Sequence, residues 1–195
     1  MRLLPASRLG RAATVCGASL ATVVGLAVPA SAHTPVMLDG TDTVPWTSPL
    51  AVDGNDPIAF FGVIPHAGAD RSFQFQMTAG QTVSVSTLIP DLAPENTLSA
   101  DQLPDVLLIA PDGTPTLIKP TEHIAVPIPE LNENYVLVAD YSAPAITGTY
   151  SAIVVGDAPE RFNVSIGTEG GDFHGLQRGS VGTLSQIQAW YATAP

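Results

Sequence analysis

Apolar and polar positions alternate along most of the chain with a period of two. Phe73, Phe75 and Met77 fall on one side of residues 72–77, and Gln74 and Gln76 on the other. After Ala79-Gly80 the alternation resumes, with Val83 and Val85 against Ser84 and Ser86. Side chains change face at every step of a strand, so this pattern predicts half-buried β-strands. Residues 58–64 form a short apolar run with two Phe, which predicts a buried strand. Further strands are predicted over 105–110, 116–119, 135–140, 148–155 and 161–166. Pro111-Asp112-Gly113 predicts the turn of a hairpin between the first two of these, since Pro presets φ and Gly accepts positive φ. Residues 123–128 carry Pro127 with Pro129 beside it, which places that strand at a sheet edge.

The period changes near the C-terminus. Val181, Leu184, Ile187 and Tyr191 recur at helical spacing, with Ser180 as the expected N-cap, and the helix is expected to pack on the sandwich edge. Residues 90–104, with three prolines and three acids, predict a long loop. The expected fold class is all-β, a β-sandwich or jelly-roll-like arrangement with a short C-terminal α-helix. The expected organisation is a signal peptide over 1–32, an extended lead-in over 33–49, a β-sandwich over 50–179, and a helix and tail over 180–195.

The first segment differs from the rest. Arg2, Arg8 and Arg11 precede an uncharged stretch over 12–28, followed by Pro29, Ala30, Ser31 and Ala32. This is the layout of a secretory signal peptide cleaved after Ala32. The alternative is an N-terminal anchor, for which the stretch is short and rich in Gly, Ser and Thr. A lipoprotein signal is rejected, because Cys16 follows Val15 and lies inside the apolar run.

Cleavage changes the charge. The whole chain of 195 residues has 18 acidic and 7 basic residues, a formal charge of −11. Residues 33–195 keep every acid but only Arg71, Lys119, Arg161 and Arg178, a formal charge of −14. They contain no Cys, so no disulfide. Nucleic acid is an unsuitable partner for such a balance, since phosphate binding requires Lys and Arg to displace counterions. No second apolar stretch is long enough to span a bilayer. The reading is a protein exported from the cell, with no stable membrane span after processing.

Three stretches within residues 71–156 resemble the bacterial pre-peptidase C-terminal (PPC) domain. They are the strand–Ala-Gly-Gln–strand run beginning at Phe73, the run from Asp105 through Pro111-Asp112-Gly113, and Tyr135–Tyr141 followed by Gly148-Thr149-Tyr150. The resemblance implies a jelly-roll-like sandwich appended to secreted enzymes, acting in binding or folding support without catalytic residues. No enzyme domain accompanies it in this chain, and the family's ligand contacts cannot be placed on these residues.

Catalytic signatures are absent: there is no Gly-x-Ser-x-Gly elbow, no His-Glu-x-x-His and no phosphate loop. A Ser–His triad assembled only by folding stays open as a hydrolase reading. Cleavage after Ala32 would expose His33 as the new N-terminus. Its amine and imidazole, with His66, His123 or His174, would then form a brace that favours Cu²⁺. The alternative is a His there by chance. Asp53 and Asp56 in Asp-Gly-Asn-Asp offer hard oxygens to Ca²⁺, although the motif alone supplies too few ligands and also reads as an Asx-rich turn. Asp91, Glu95, Asp101 and Asp105 form a second acidic stretch with the same two readings. His174 lies in a Gly-rich loop, and Trp46, Tyr141, Trp190 and Tyr191 are read as core or edge residues rather than a sugar-stacking platform. The leading expectation is a secreted, non-catalytic binding or accessory module with a cell-wall, polysaccharide or protein partner.

Overall fold

The computed structural model describes residues 33–129, 131–168 and 171–195. The signal-peptide reading and its cleavage site at Ala32 lie outside these residues. The strands are β1 (Thr34–Met37), β2 (Leu50–Ala51), β3 (Ile58–Ile64), β4 (Asp70–Met77), β5 (Thr82–Pro90), β6 (Asp105–Ile109), β7 (Pro115–Ile118), β8 (Ile124–Ile128), β9 (Glu133–Pro144), β10 (Gly148–Val155), β11 (Glu160–Ile166) and β12 (Leu176–Arg178). Among the described residues a single α-helix, α1, spans Leu184–Ala192. Two six-stranded sheets form a sandwich. Sheet A has the order β1-β3-β11-β5-β9-β8, and sheet B the order β12-β2-β4-β10-β6-β7. Most pairings are antiparallel; β1 runs parallel to β3, and β2 parallel to β4.

The alternation of side chains builds the core directly. Phe73, Phe75 and Met77 of β4 and Val83 and Val85 of β5 all point between the sheets and are buried. Phe60 stacks on Phe73 with centroids 3.9 Å apart, and Phe75 on Tyr150 at 5.4 Å. Stacked rings of this kind add to the area they bury. The β6–β7 hairpin closes at Pro111-Asp112-Gly113. Gly113 has φ +85, its N–H donates to Ala110 O at 2.9 Å, and Asp112 Oδ1 accepts from Thr114 N at 2.9 Å. β8, with Pro127, is an edge of sheet A, as a proline lacking an N–H requires.

The C-terminal helix differs from its expected form at both ends. Its N-cap is Thr183, not Ser180. Val181 is held extended by a bridge to Val36, and Gly182 N donates to Pro35 O at 2.7 Å, so the chain turns helical only beyond them. Thr183 and Gln186 form a capping box that satisfies two N-terminal donors. The helix packs on the outer face of sheet A rather than on an edge, and it buries Ile187 and Trp190, while Val181 and Leu184 stay exposed. Trp190 meets Phe61 edge-on at 4.9 Å and donates from Nε1 to Gly62 O at 2.9 Å. Nine residues are too few to be helical alone in water, so these contacts hold the helix.

A further tie to the helix is Arg161. From the outer face of β11, its Nε and Nη2 reach Glu95 Oε1 and Oε2 at 2.6 and 2.7 Å. Its backbone N–H also donates to Glu95 Oε1, at 2.8 Å. Nη1 donates to the carbonyls of Tyr191 and Thr193 at the helix C-terminus. Both partners are almost completely buried. A guanidinium fork matches a carboxylate in two parallel bonds, and a cation suits the partial negative charge of a helix C-terminus.

Glu160, the residue before it, lies on the inner face of β11 without such a partner. It is fully buried, and neither carboxyl oxygen has a hydrogen-bond partner among the described residues. The close approach requires Gly156, where a Cβ would come within 2.1 Å of Glu160 Oε1. Burial, then the charges of Glu95, Asp157 and Asp105, push its pKa up to about 9, so it is a neutral acid at pH 7.

Two predictions follow from these neighbours. Arg161→Met leaves the Glu95 carboxylate buried without its partner, and equilibrium unfolding should show a loss of about 3–5 kcal/mol. A folded pKa above the unfolded value of 4.5 means that the unfolded chain releases the Glu160 proton first. Stability from this group is therefore complete below about pH 4.5 and falls as pH rises toward 9, at about 1.4 kcal/mol per pH unit. Glu160→Gln should flatten that slope in denaturant titrations from pH 5 to 8 and raise stability at pH 7; an unchanged slope would contradict the assignment.

Candidate functional site

Two places in the fold gather side chains suited to binding. The first is a groove of about 680 Å³ on the outer face of sheet A, between α1 and the β8–β9 hairpin. Its origin lies in the strand pattern. Where β11 sends Phe162, Val164 and Ile166 inward, it turns Asn163 and Ser165 outward. β5 likewise turns Ser86 and Leu88 to this face. The helix covers Ala59 and Phe61 near one end, and Leu184 and Ile187 form the wall on that side. Val126, Ile128 and Leu131 form the opposite wall, with Leu137 and Tyr135 beneath.

The polar members of the lining are few. Ser165 Oγ donates to Asn163 Oδ1 at 3.1 Å, and Ser86 Oγ to Asp140 Oδ1 at 2.8 Å. Tyr135 donates its hydroxyl to the buried Glu133 Oε2 at 2.6 Å; burial and that bond hold the phenol above its ordinary pKa. Tyr191 bonds both the N–H and the carbonyl of Asn134 at 2.9 Å, which fixes the β9 end of the groove to the helix. His33, the residue singled out as a copper ligand, also lines this groove. A groove of this size, mostly apolar with a few polar groups, falls in the range of small-molecule sites, about 300–1,000 Å³.

The second place is the cluster of Asp53, Asp56 and His174, whose ligand atoms lie within 4.8 Å of one another. Asp53 and Asp56 come from the loop between β2 and β3, and His174 from the loop before β12. Asp56 is buried, with Oδ2 accepting from His174 N at 2.7 Å and Oδ1 facing His174 Nδ1 at 2.6 Å. Asp53 Oδ1 accepts from Asn55 N at 2.9 Å and from Gln81 Nε2 at 3.1 Å. Gly167, at φ +79, lets the second loop close on the first, since a Cβ there would meet Asp56 O at 2.1 Å. The chemistry on offer is an imidazole held in one orientation by a buried carboxylate, with the ring itself exposed. Two carboxylates and one imidazole could supply three ligands to a divalent cation, but both Asp56 oxygens are already engaged by His174. His33 is not a member of this cluster. The Asp-Gly-Asn-Asp motif had marked the two acids; His174, 118 residues from Asp56, had been marked only as part of a Gly-rich loop.

The remaining residues marked in the sequence are dispersed. Glu95 is in the ion pair with Arg161, Asp91 accepts from Asn96, and Asp105 faces Lys119 at 3.3 Å. Trp46 is exposed while Trp190 is buried, so the aromatic residues do not line one platform. No helix of the described residues is long and apolar enough to cross a membrane. A scan against family models finds no match to this chain, and a search of curated proteins finds no relative.

The Asp56–His174 pair predicts a titration. The hydrogen bond and charge of Asp56 raise the imidazole pKa above its ordinary 6.5. The stabilisation is therefore present in full below about pH 6.5 and is lost as pH rises through the higher folded value. An NMR titration should place His174 above 6.5, and Asp56→Asn should lower it; no change on that substitution would remove the pair from the account.

Proposed function

We propose that this protein is an exported, non-catalytic β-sandwich binding module, and that the groove on the outer face of sheet A takes an apolar small molecule. The observation that carries the reading is the groove itself: a concave, largely apolar surface of about 680 Å³ on a face that a sandwich ordinarily turns to water. Leu184 is 53% exposed on one wall, which a ligand between the walls would cover. Removing apolar surface from water gives about 25 cal/mol per Å², so a molecule of modest size gains useful affinity there. Export rests on the N-terminal Arg-rich, apolar and Ala-Ser-Ala run of the sequence. The PPC resemblance supports a binding role outside the cell, and the lack of catalytic motifs supports the absence of a reaction.

Nile red, a neutral apolar dye, tests the groove. The secreted protein should enhance and blue-shift its fluorescence. Leu184→Glu should weaken binding at least tenfold without lowering thermal stability, because this side chain is exposed. Val126→Glu on the opposite wall should do the same. No enhancement with the unsubstituted protein, or equal binding by both variants, would overturn the reading.

A further inference from the structure

The lining of the groove is sorted by chemistry, and the strand register shows how. Ser165 of β11 pairs with Ala59 on one side and Ser86 on the other, and Pro35 pairs with Ala59, so one row crosses four strands. The two serine hydroxyls sit in this row. In the next row Asn163 lies between Phe61 and Leu88, and Leu88 pairs with Leu137. Beyond it come Tyr135 with its partner Val126, and then Ile128. The serine hydroxyls and the Asn163 amide therefore line one end of the groove, and the other end is lined by apolar side chains and by Tyr135, whose hydroxyl is engaged by Glu133. From the Ser86 row to the Ile128 row are three two-residue steps, about 20 Å at the rise of a strand.

The polar end has a definite character. Asn163 is 8% exposed and its Oδ1 is used by Ser165, which leaves the amide nitrogen as a donor with no acceptor among the described residues. No Lys, Arg, Asp or Glu lines the groove, although residues 33–195 carry a formal charge of −14. An anionic head group would meet the repulsion of the whole chain, with His33 the one basic residue in the lining. A cationic one would lose water, and the neighbouring carboxylate, Asp140, lies outside the lining with Oδ1 already accepting from Ser86. Neutral hydroxyl and amide groups suit a neutral, hydrogen-bonding head.

Both edges of sheet A argue against an added peptide strand. β8 carries Pro127, and β1 is occupied by Val181 and Gly182 through the Val36 bridge and the bond to Pro35 O. The occupant lies on the face, not on an edge.

Resting on the groove reading above, we infer that the ligand is a single-chain neutral amphiphile, with its hydroxylated head at Ser86, Asn163 and Ser165 and its alkyl chain along Leu88, Leu137, Val126 and Ile128. The head exchanges hydrogen bonds with water for bonds to the Asn163 amide and the serine hydroxyls. The chain removes apolar surface of both partners from water.

Displacement of Nile red from the secreted protein tests this, with each competitor below its critical micelle concentration. Monolaurin, laurate and dodecylammonium share chain length within one group and differ in head charge. Monolaurin should displace the dye at least tenfold more strongly than either ion, and its ten-carbon homologue should be about tenfold weaker than monolaurin. Asn163→Leu and Ser165→Ala should each reduce the preference for monolaurin while Nile red still binds; the second variant guards against misfolding of the first. If Nile red binds but all three competitors displace it equally, or none does, the amphiphile inference fails and the groove reading stands. Failure of Nile red itself removes both. Co-sedimentation with phosphatidylcholine vesicles without displacement by monolaurin would assign the face to a membrane surface and overturn the inference.

Discussion

The buried pair of Arg161 and Glu95 joins three parts of the chain that lie far apart in sequence. Arg161 belongs to a central strand of sheet A, Glu95 to the long connection after β5, and the carbonyls of Tyr191 and Thr193 to the end of α1. A buried ion pair gives little net stability by itself, because desolvation offsets the attraction. Its effect is on geometry. Once Arg161 is buried, its donors must be satisfied, and Glu95 with the carbonyls at the helix end satisfies them. The wall of the groove that α1 provides depends on those bonds.

The same strand shows how one sequence serves two faces. Phe162, Val164 and Ile166 fill the core, while Arg161, Asn163 and Ser165 face outward. The helix covers only part of that outer face, through Trp190 and Ile187 on Phe61, Ala59 and Tyr135. The uncovered remainder, closed on its other side by the β8–β9 hairpin, is the groove. The groove in this fold therefore follows from incomplete coverage of a sheet by a nine-residue helix. Glu160, turned inward on the same strand, shows what the chain tolerates elsewhere: a neutral carboxyl buried against Gly156 without a hydrogen-bond partner among the described residues.

Much of the fold was legible from periodicity. The alternation over 72–77 and 83–86 marked the inward faces of β4 and β5, and Pro-Asp-Gly marked a turn in which Gly113 takes φ +85. Pro127 marked an edge. These are local signals, because a strand's two faces and a turn's dihedrals are properties of a few adjacent residues. The helix was legible in period but not in its start. Ser180 has the chemistry of a cap, yet Val181 and Gly182 are committed to β1, and that commitment is a contact across more than 140 residues.

The candidate sites divide in the same way. Asp53 and Asp56 stood out because they are neighbours in a Gly-containing loop, whereas their partner His174 could be joined to them only by the fold. The groove left almost no trace in the sequence: Ser86 read as the polar face of a strand, Leu184 as part of a helix stripe, and Asn163 and Ser165 carried no signal beyond the strand predicted over 161–166. By itself the sequence determined the β class, the strand faces, the acidic charge without disulfides, and the absence of local catalytic motifs. Only the tertiary structure decided which polar face was roofed by the helix, and which acid met Arg161 and which met His174. The reason is physical: periodicity encodes the direction of a side chain relative to its own strand, whereas a concave site depends on distances between strands that are far apart in the chain.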